Sequence, residues 1–164
     1  MSYDLMVFEP TAAPKDRKQF MKWYREQTKW AEGHSYNDPS VSSPALQAWF
    51  QDMIQVFPAM NGPYASQDVD DPKVTDHCIG KTVIYSAFAW SCAEEAHGAM
   101  KQLAIKHNVG FFDVSANEGE IVFPDKLRTE VPSAKPWWKI WWRRITLRST
   151  GPARKAAQVR LAPR

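Results

Sequence analysis

Apolar positions along the first 124 residues recur with two periods, and the alternation between them outlines eight elements. Tyr3-Asp4-Leu5-Met6-Val7-Phe8 is a short apolar run halted by Glu9-Pro10, and it predicts a strand close to the N-terminus. Pro14 to about Ala31 predicts a helix. Pro14 suits a first helical turn, Asp16 lies near the positive end of the dipole, and Phe20, Trp23, Tyr24 and Trp30 form an aromatic face. Residues 32–42 contain Gly33, Asn37, Asp38 and Pro39 and predict a loop. The clearest signal follows. Ser43 can cap, Pro44 stands at the first helical position, and Leu46, Trp49, Phe50, Met53, Ile54 and Phe57 recur at spacings of three and four until Pro58.

Residues 59–74 form a second long loop, with Asn61-Gly62-Pro63 and the acidic run Asp68, Asp70, Asp71. Strands are predicted over 76–80 and 83–90, joined by Gly80-Lys81-Thr82 as a tight turn or a bulge. Ser91 and Glu94 have the spacing of a capping box at the head of a third helix, which buries Ala96, Ala99, Met100, Leu103 and Ala104 and ends in a left-handed turn at Asn108 or Gly110. Residues 111–115 and 120–123 predict a last hairpin around Asn117-Glu118-Gly119.

The order β-α-α-β-β-α-β-β predicts an α+β domain: a mainly antiparallel sheet with helices on one face, a ferredoxin-like variant with one added helix and one added strand. The packed domain is expected over residues 1–124, with a linker at 125–136, a Trp-rich basic segment at 137–145 and a disordered basic tail at 146–164.

Charge changes this picture. The formal net charge of +3 is an average over two unlike parts. Residues 135–164 hold nine Lys or Arg and no acid, whereas residues 1–134 hold twelve basic and eighteen acidic side chains, a net of −6. An acidic body repels phosphate and attracts basic partners, so the sequence pI of 8.9 does not argue for nucleic-acid binding by the folded part. No apolar run approaches the roughly 20 residues of a membrane span. The first eight residues do not read as a signal peptide, and Cys78 and Cys92 lack metal-ligand spacing, so reduced thiols in a cytoplasmic protein are expected.

Motifs for chemistry are sparse. His34, His77, His97 and His107 do not have metal-site spacing, no Gly-x-Ser-x-Gly elbow surrounds a serine, and no Gly-rich phosphate loop is present, so no metal or other cofactor is expected. Asp68-x-Asp70-Asp71 lacks the glycine and terminal glutamate of a calcium loop. An enzymatic alternative rests on Cys92, His77 or His34, whose spacing supports no particular reaction.

The sharper feature is combined. The two long loops flank one amphipathic helix and carry Trp30, His34, Tyr36, Asp38, Tyr64, Asp68, Asp70 and Asp71. Aromatic anchors among acidic groups suit a basic protein surface, and Trp30, Tyr36, Asp38, Tyr64, Asp68, Asp70 and Asp71 are the candidate partner-binding residues. Trp30 and Tyr36 can equally serve as a cover for the core edge. On a helical wheel Trp137, Trp138, Trp141, Trp142 and Ile145 span roughly 140°, a basic amphipathic pattern suited to weak membrane contact or to docking on the protein itself. Single-stranded nucleic acid is less well matched.

Ser2-Tyr3-Asp4-Leu5-Met6-Val7-Phe8, Phe57-Pro58-Ala59-Met60-Asn61-Gly62-Pro63, Val83-Ile84-Tyr85-Ser86-Ala87-Phe88-Ala89-Trp90 and Gly110-Phe111-Phe112-Asp113-Val114 together resemble a family of small, uncharacterised bacterial proteins. That family is loosely associated with immunity proteins of interbacterial toxin systems. The resemblance covers about residues 2–124 and implies an immunity protein; the acidic body, the absent catalytic motifs and the aromatic–acidic loops make the expectation a non-catalytic protein that occludes a basic toxin domain. The resemblance supplies no residue roles.

Overall fold

Leu5, Met6, Val7 and Phe8 are all fully buried, so strand β1 (Tyr3–Phe8) needs cover on both of its faces. The computed structural model describes residues 2–126; the unit that contains them runs from Met1 to Glu130. The linker beyond residue 126, the Trp-rich segment and the basic tail lie outside the described residues.

β1 pairs antiparallel with β3 (Val83–Phe88) on one side and β4 (Gly110–Asp113) on the other. β2 (Asp76–Ile79) lies outside β3, and β5 (Glu120–Val122) lies outside β4, giving the order β2-β3-β1-β4-β5 with every pairing antiparallel. The α+β class and the expected element order are present, and β5 is the strand added to the ferredoxin-like order.

The helices do not share one face, which corrects the expectation. Register places Met6, Tyr85 and Phe112 on one side of the sheet and Val7, Ile84 and Phe111 on the other. Helix α1 (Arg17–Gln27) sets Phe20 5.1 Å from Phe8 and 5.2 Å from Phe112, and Tyr24 5.1 Å from Phe112, on the first side. Helices α2 (Pro44–Met53) and α3 (Ala93–His107) cover the second, where Phe50 stands edge-on to His77 at 5.6 Å and His97 edge-on to Phe111 at 5.3 Å. The sheet is therefore the middle of three layers, and α1 is the helix added to the ferredoxin-like pattern. Burial of each large apolar side chain of β1 contributes about 1.5–3 kcal/mol, which a bare face would forfeit.

Local chemistry sets the element ends. Asp16 caps α1 by accepting Gln19 N–H at 3.0 Å, so the helix starts after Pro14 rather than at it. It stops at Gln27, before Trp30 enters the left-handed region at φ 51°. Ser43 caps α2 and Pro44 follows, as the pattern predicts, but the helix closes at Met53 and continues to Phe57 only as turns. The Ser91–Glu94 capping box does not form. A 3₁₀ turn over Trp90–Cys92 intervenes and makes Cys92 the N-cap residue, without a side-chain bond. Gly80 N–H donates to Val83 O at 2.8 Å, which settles the β2–β3 connection as a tight turn. Asn108, at φ 57°, ends α3. Asp52 of α2 accepts Lys106 Nζ at 2.5 Å and His107 Nε2 at 2.6 Å, clamping the end of α3 to α2.

Gly110 sits where a Cβ would lie 2.2 Å from the buried Phe8 ring, at the centre of the sheet. Gly110→Ala is predicted to cost about 2–3 kcal/mol by overpacking, read from urea unfolding. A loss under about 0.5 kcal/mol would show that the ring can move aside.

Candidate functional site

The outer edge of β2 is closed by loop backbone rather than by another strand. Ile79 N–H donates to Tyr36 O at 2.8 Å, Thr75 N–H to Pro58 O at 2.8 Å, and Met60 N–H to Thr75 O at 2.9 Å. The two long loops predicted as a partner surface therefore lie along one sheet edge. They meet at Gly62, where a Cβ would stand 2.2 Å from the carbonyl oxygen of Asn37. Gly62 is also left-handed, at φ 81°, so the junction demands glycine on two counts.

The 30–36 segment is held under strain. Trp30 and Tyr36 have φ of 51° and 57°, a region bulky side chains rarely enter. Their rings pack edge-to-face at 5.2 Å, and the His34 ring lies tilted against Tyr36 at 4.2 Å. Polar bonds fix the arrangement. Glu32 accepts His34 Nε2 at 2.7 Å and Lys81 N–H at 2.9 Å, the Tyr36 hydroxyl accepts Glu32 N–H, and His34 Nδ1 accepts Tyr36 N–H at 3.1 Å. Asp38 is exposed and caps the 3₁₀ turn Pro39–Val41; the Ser40 N–H it accepts holds its carboxyl below the usual range.

The second loop presents apolar and acidic groups in turn. Met60 is 55% exposed, Tyr64 45% and Val69 78%, and Tyr64 rests edge-on against Phe50 at 5.9 Å. Asp68 and Asp70 face solvent, while Asp71 is partly covered and accepts Lys73 N–H at 2.8 Å. Backbone packing joins the two loops. Trp30 and Tyr36 touch one another, and Trp30 also reaches Tyr85 of β3 at 6.1 Å, so the core-cover reading describes part of what they do.

The residues of the enzymatic alternative do not gather. His77 and Ser86 pair across β2 and β3 in the core, with the hydroxyl donating to Nδ1 at 2.8 Å and Nε2–H donating to Phe57 O at 3.2 Å. Burial pushes the His77 imidazole down to about 4. Cys92 is buried and Cys78 half-buried, both as free thiols, and burial, with Asp76 second, pushes the Cys78 thiol up. His34 is spent on its own loop. Among the described residues, no group of His, Cys, Asp and Glu is arranged to hold a metal ion, and no helix is long and apolar enough to cross a membrane. The proposed membrane contacts Trp137, Trp138, Trp141 and Trp142 lie outside the described residues.

One polar network escapes prediction. Tyr3 donates to Asp113 Oδ2 at 3.0 Å, while Asp113 Oδ1 accepts the N–H groups of Ser115 and Ala116, each at 3.0 Å. His97 Nε2 lies 3.7 Å from Asp113 Oδ2 and 3.8 Å from Glu120 Oε2, and Lys101 Nζ lies 2.9 Å from Glu120 Oε1. Half-exposed Trp90 packs on Tyr3 at 5.2 Å. Burial and then Asp113 raise the Tyr3 phenol well above its usual range. The network braces α3 against β4 and β5. Its sequence signal was the four-residue spacing of His97 and Lys101, which meant nothing without the strand register opposite.

No protein-family model, curated protein or solved structure is significantly similar to this chain.

His77 supplies a pH test. Its folded-state value, about 4, lies below the ordinary 6.5, so the unfolded chain binds the proton more readily between those values. Stability contributed by the neutral imidazole is complete above about pH 6.5 and is lost as pH falls toward 4, by roughly 3 kcal/mol. His77→Phe should flatten that part of the stability–pH curve; an unchanged slope would place the titration elsewhere.

Proposed function

We propose that this chain is a non-catalytic, cytoplasmic binding protein, an immunity protein that occludes a basic toxin domain. One observation supports the reading: two loops, strained in the first and glycine-locked at their junction, run along one sheet edge, with Asp38, Asp68 and Asp70 exposed on them, Trp30 packed on the α1 side and Tyr64 on the α2 side. The resemblance to a family of small, uncharacterised bacterial proteins, loosely associated with immunity proteins of interbacterial toxin systems, points the same way.

The mechanism is steering followed by occlusion. Residues 2–126 carry eleven basic and seventeen acidic side chains, a net of −6, which draws a basic domain toward them. Asp38, Asp68 and Asp70 are exposed, and the exposed Met60, Tyr64 and Val69 lie in the same loop as the last two. Charges of this kind raise the association rate, while apolar and aromatic anchors slow dissociation. Because the loops are held before the partner arrives, less ordering entropy is lost on binding.

The test begins with affinity capture from the producing bacterium, with the full chain as bait at low and moderate salt, and the retained domain is then used in stopped-flow association. The expected partner is a single basic toxin domain held at nanomolar strength. D68N/D70N/D71N should slow its association by about tenfold at low salt with little change in dissociation. An unchanged association rate would contradict the assignment of this surface.

A further inference from the structure

Charge within residues 2–126 is divided as unevenly as charge along the whole sequence. Residues 15–29, which span α1 and its flanks, hold Lys15, Arg17, Lys18, Lys22, Arg25 and Lys29 against Asp16 and Glu26, a net of +4. The rest of residues 2–126 hold five basic and fifteen acidic side chains, a net of −10. Lys18, Lys22 and Arg25 follow one another at spacings of four and three, so they share one face of the helix, opposite the buried Phe20. All three are exposed, as are Lys15 and Lys29 at the two ends.

This stripe lacks the pairing that other lysines have. Lys73 is held by Glu95 at 2.5 Å, Lys101 by Glu120 at 2.9 Å and Lys106 by Asp52 at 2.5 Å. Of the two carboxylates beside the stripe, Asp16 caps α1 and Glu26 takes Lys29 at 2.7 Å. Among the described residues, no carboxylate forms an ion pair with Lys15, Lys18, Lys22 or Arg25. Like charges held this close on a helix repel one another, and an arriving anionic surface relieves the repulsion.

Shape selects among anions. The aromatic side chains of α1 are spent on the core: Phe20 packs on Phe8 and Phe112, Trp23 on Phe8 and Phe20, and Tyr24 on Phe112. The outer face therefore offers charge without the stacking platform that single-stranded nucleic acid uses. A helix crest is also convex, which suits a plane better than a strand held in a groove. We infer that the outer face of α1 is a docking surface for an anionic membrane, with Lys18, Lys22 and Arg25 against lipid phosphates. A basic patch alone holds a membrane weakly, and stable attachment takes a second, apolar signal. The sequence contains one: Trp137, Trp138, Trp141 and Trp142 stand among Lys135, Lys139, Arg143 and Arg144. The acidic charge outside residues 15–29 is repelled by the same lipids, so the field turns α1 toward them. Docking through α1 does not depend on the proposed toxin partner.

The test is co-sedimentation of the full chain with vesicles of phosphatidylcholine alone or with about one-third phosphatidylglycerol, beside binding to a thymidine oligonucleotide. The anionic vesicles should retain the chain at least about tenfold better than the neutral ones, and the difference should shrink as salt rises. K18Q/K22Q/R25Q should weaken that binding at least about tenfold, since each basic residue near an anionic surface contributes roughly a fivefold factor. Gln matches Lys and Arg in helix propensity, so this variant should keep its thermal midpoint. K73Q/K101Q/K106Q removes the same formal charge outside α1 and should bind within about twofold of wild type. Lysine acetylation gives a second reading: vesicles should protect Lys18 and Lys22 at least about fivefold and leave the rates at Lys101 and Lys106 unchanged. No preference for anionic vesicles, full binding by K18Q/K22Q/R25Q, equal losses in the two triple variants, or tighter α1-dependent binding to the oligonucleotide would overturn the inference.

Discussion

Leu5, Met6, Val7 and Phe8 are fully buried in a row, and their side chains alternate across the sheet. That run obliges both faces to be covered and organises everything around it. α1 closes one side with Phe20, Trp23 and Tyr24, while α2 and α3 close the other and are clamped together through Asp52. The close approach of Gly110 to Phe8 belongs to the same constraint, because the ring lies over the neighbouring strand and leaves no room for a side chain there.

The sheet's β2 edge poses a second problem. An uncovered edge strand invites pairing with other chains. Here residues 58–60 and 36 supply the partners, so the loops that protect the edge are also fixed by it. Trp30 and Tyr36 each lose about 1–2 kcal/mol to left-handed backbone. Glu32 and the bonds between His34 and Tyr36 hold them there despite that cost. The outcome is a pair of loops with exposed acidic groups held on the sheet edge, the feature on which the proposed capture of a basic domain rests.

Much of this was legible from residue order. Ser43-Pro44 marked a helix start, Asn108 a helix end, and Asn117-Glu118-Gly119 a hairpin, because each depends on neighbours in sequence. The unbroken apolar run of β1 also announced two buried faces, yet an alternating-sheet template puts helices on one face only. What could not be read depends on long-range register. The His77–Ser86 pair and the Tyr3–Asp113–His97 brace each join residues from separate elements. The loops themselves were recognisable as aromatic and acidic, but the contact of Gly62 with Asn37 that unites them was not. The failed Ser91 cap shows the limit of local motifs as well, since a 3₁₀ turn displaced the helix start by one residue.

Native-state amide hydrogen exchange on the free chain tests most directly whether the two loops form one surface before any partner binds. The N–H groups of Met60, Ser66, Thr75 and Ile79 donate to backbone carbonyls along this edge, and that of Lys81 donates to Glu32. They should exchange at least about a hundredfold more slowly than in an open coil. Coil-like exchange at those five amides, with Leu5 to Phe8 still protected, would mean that the surface is assembled only on binding and would contradict a preformed site.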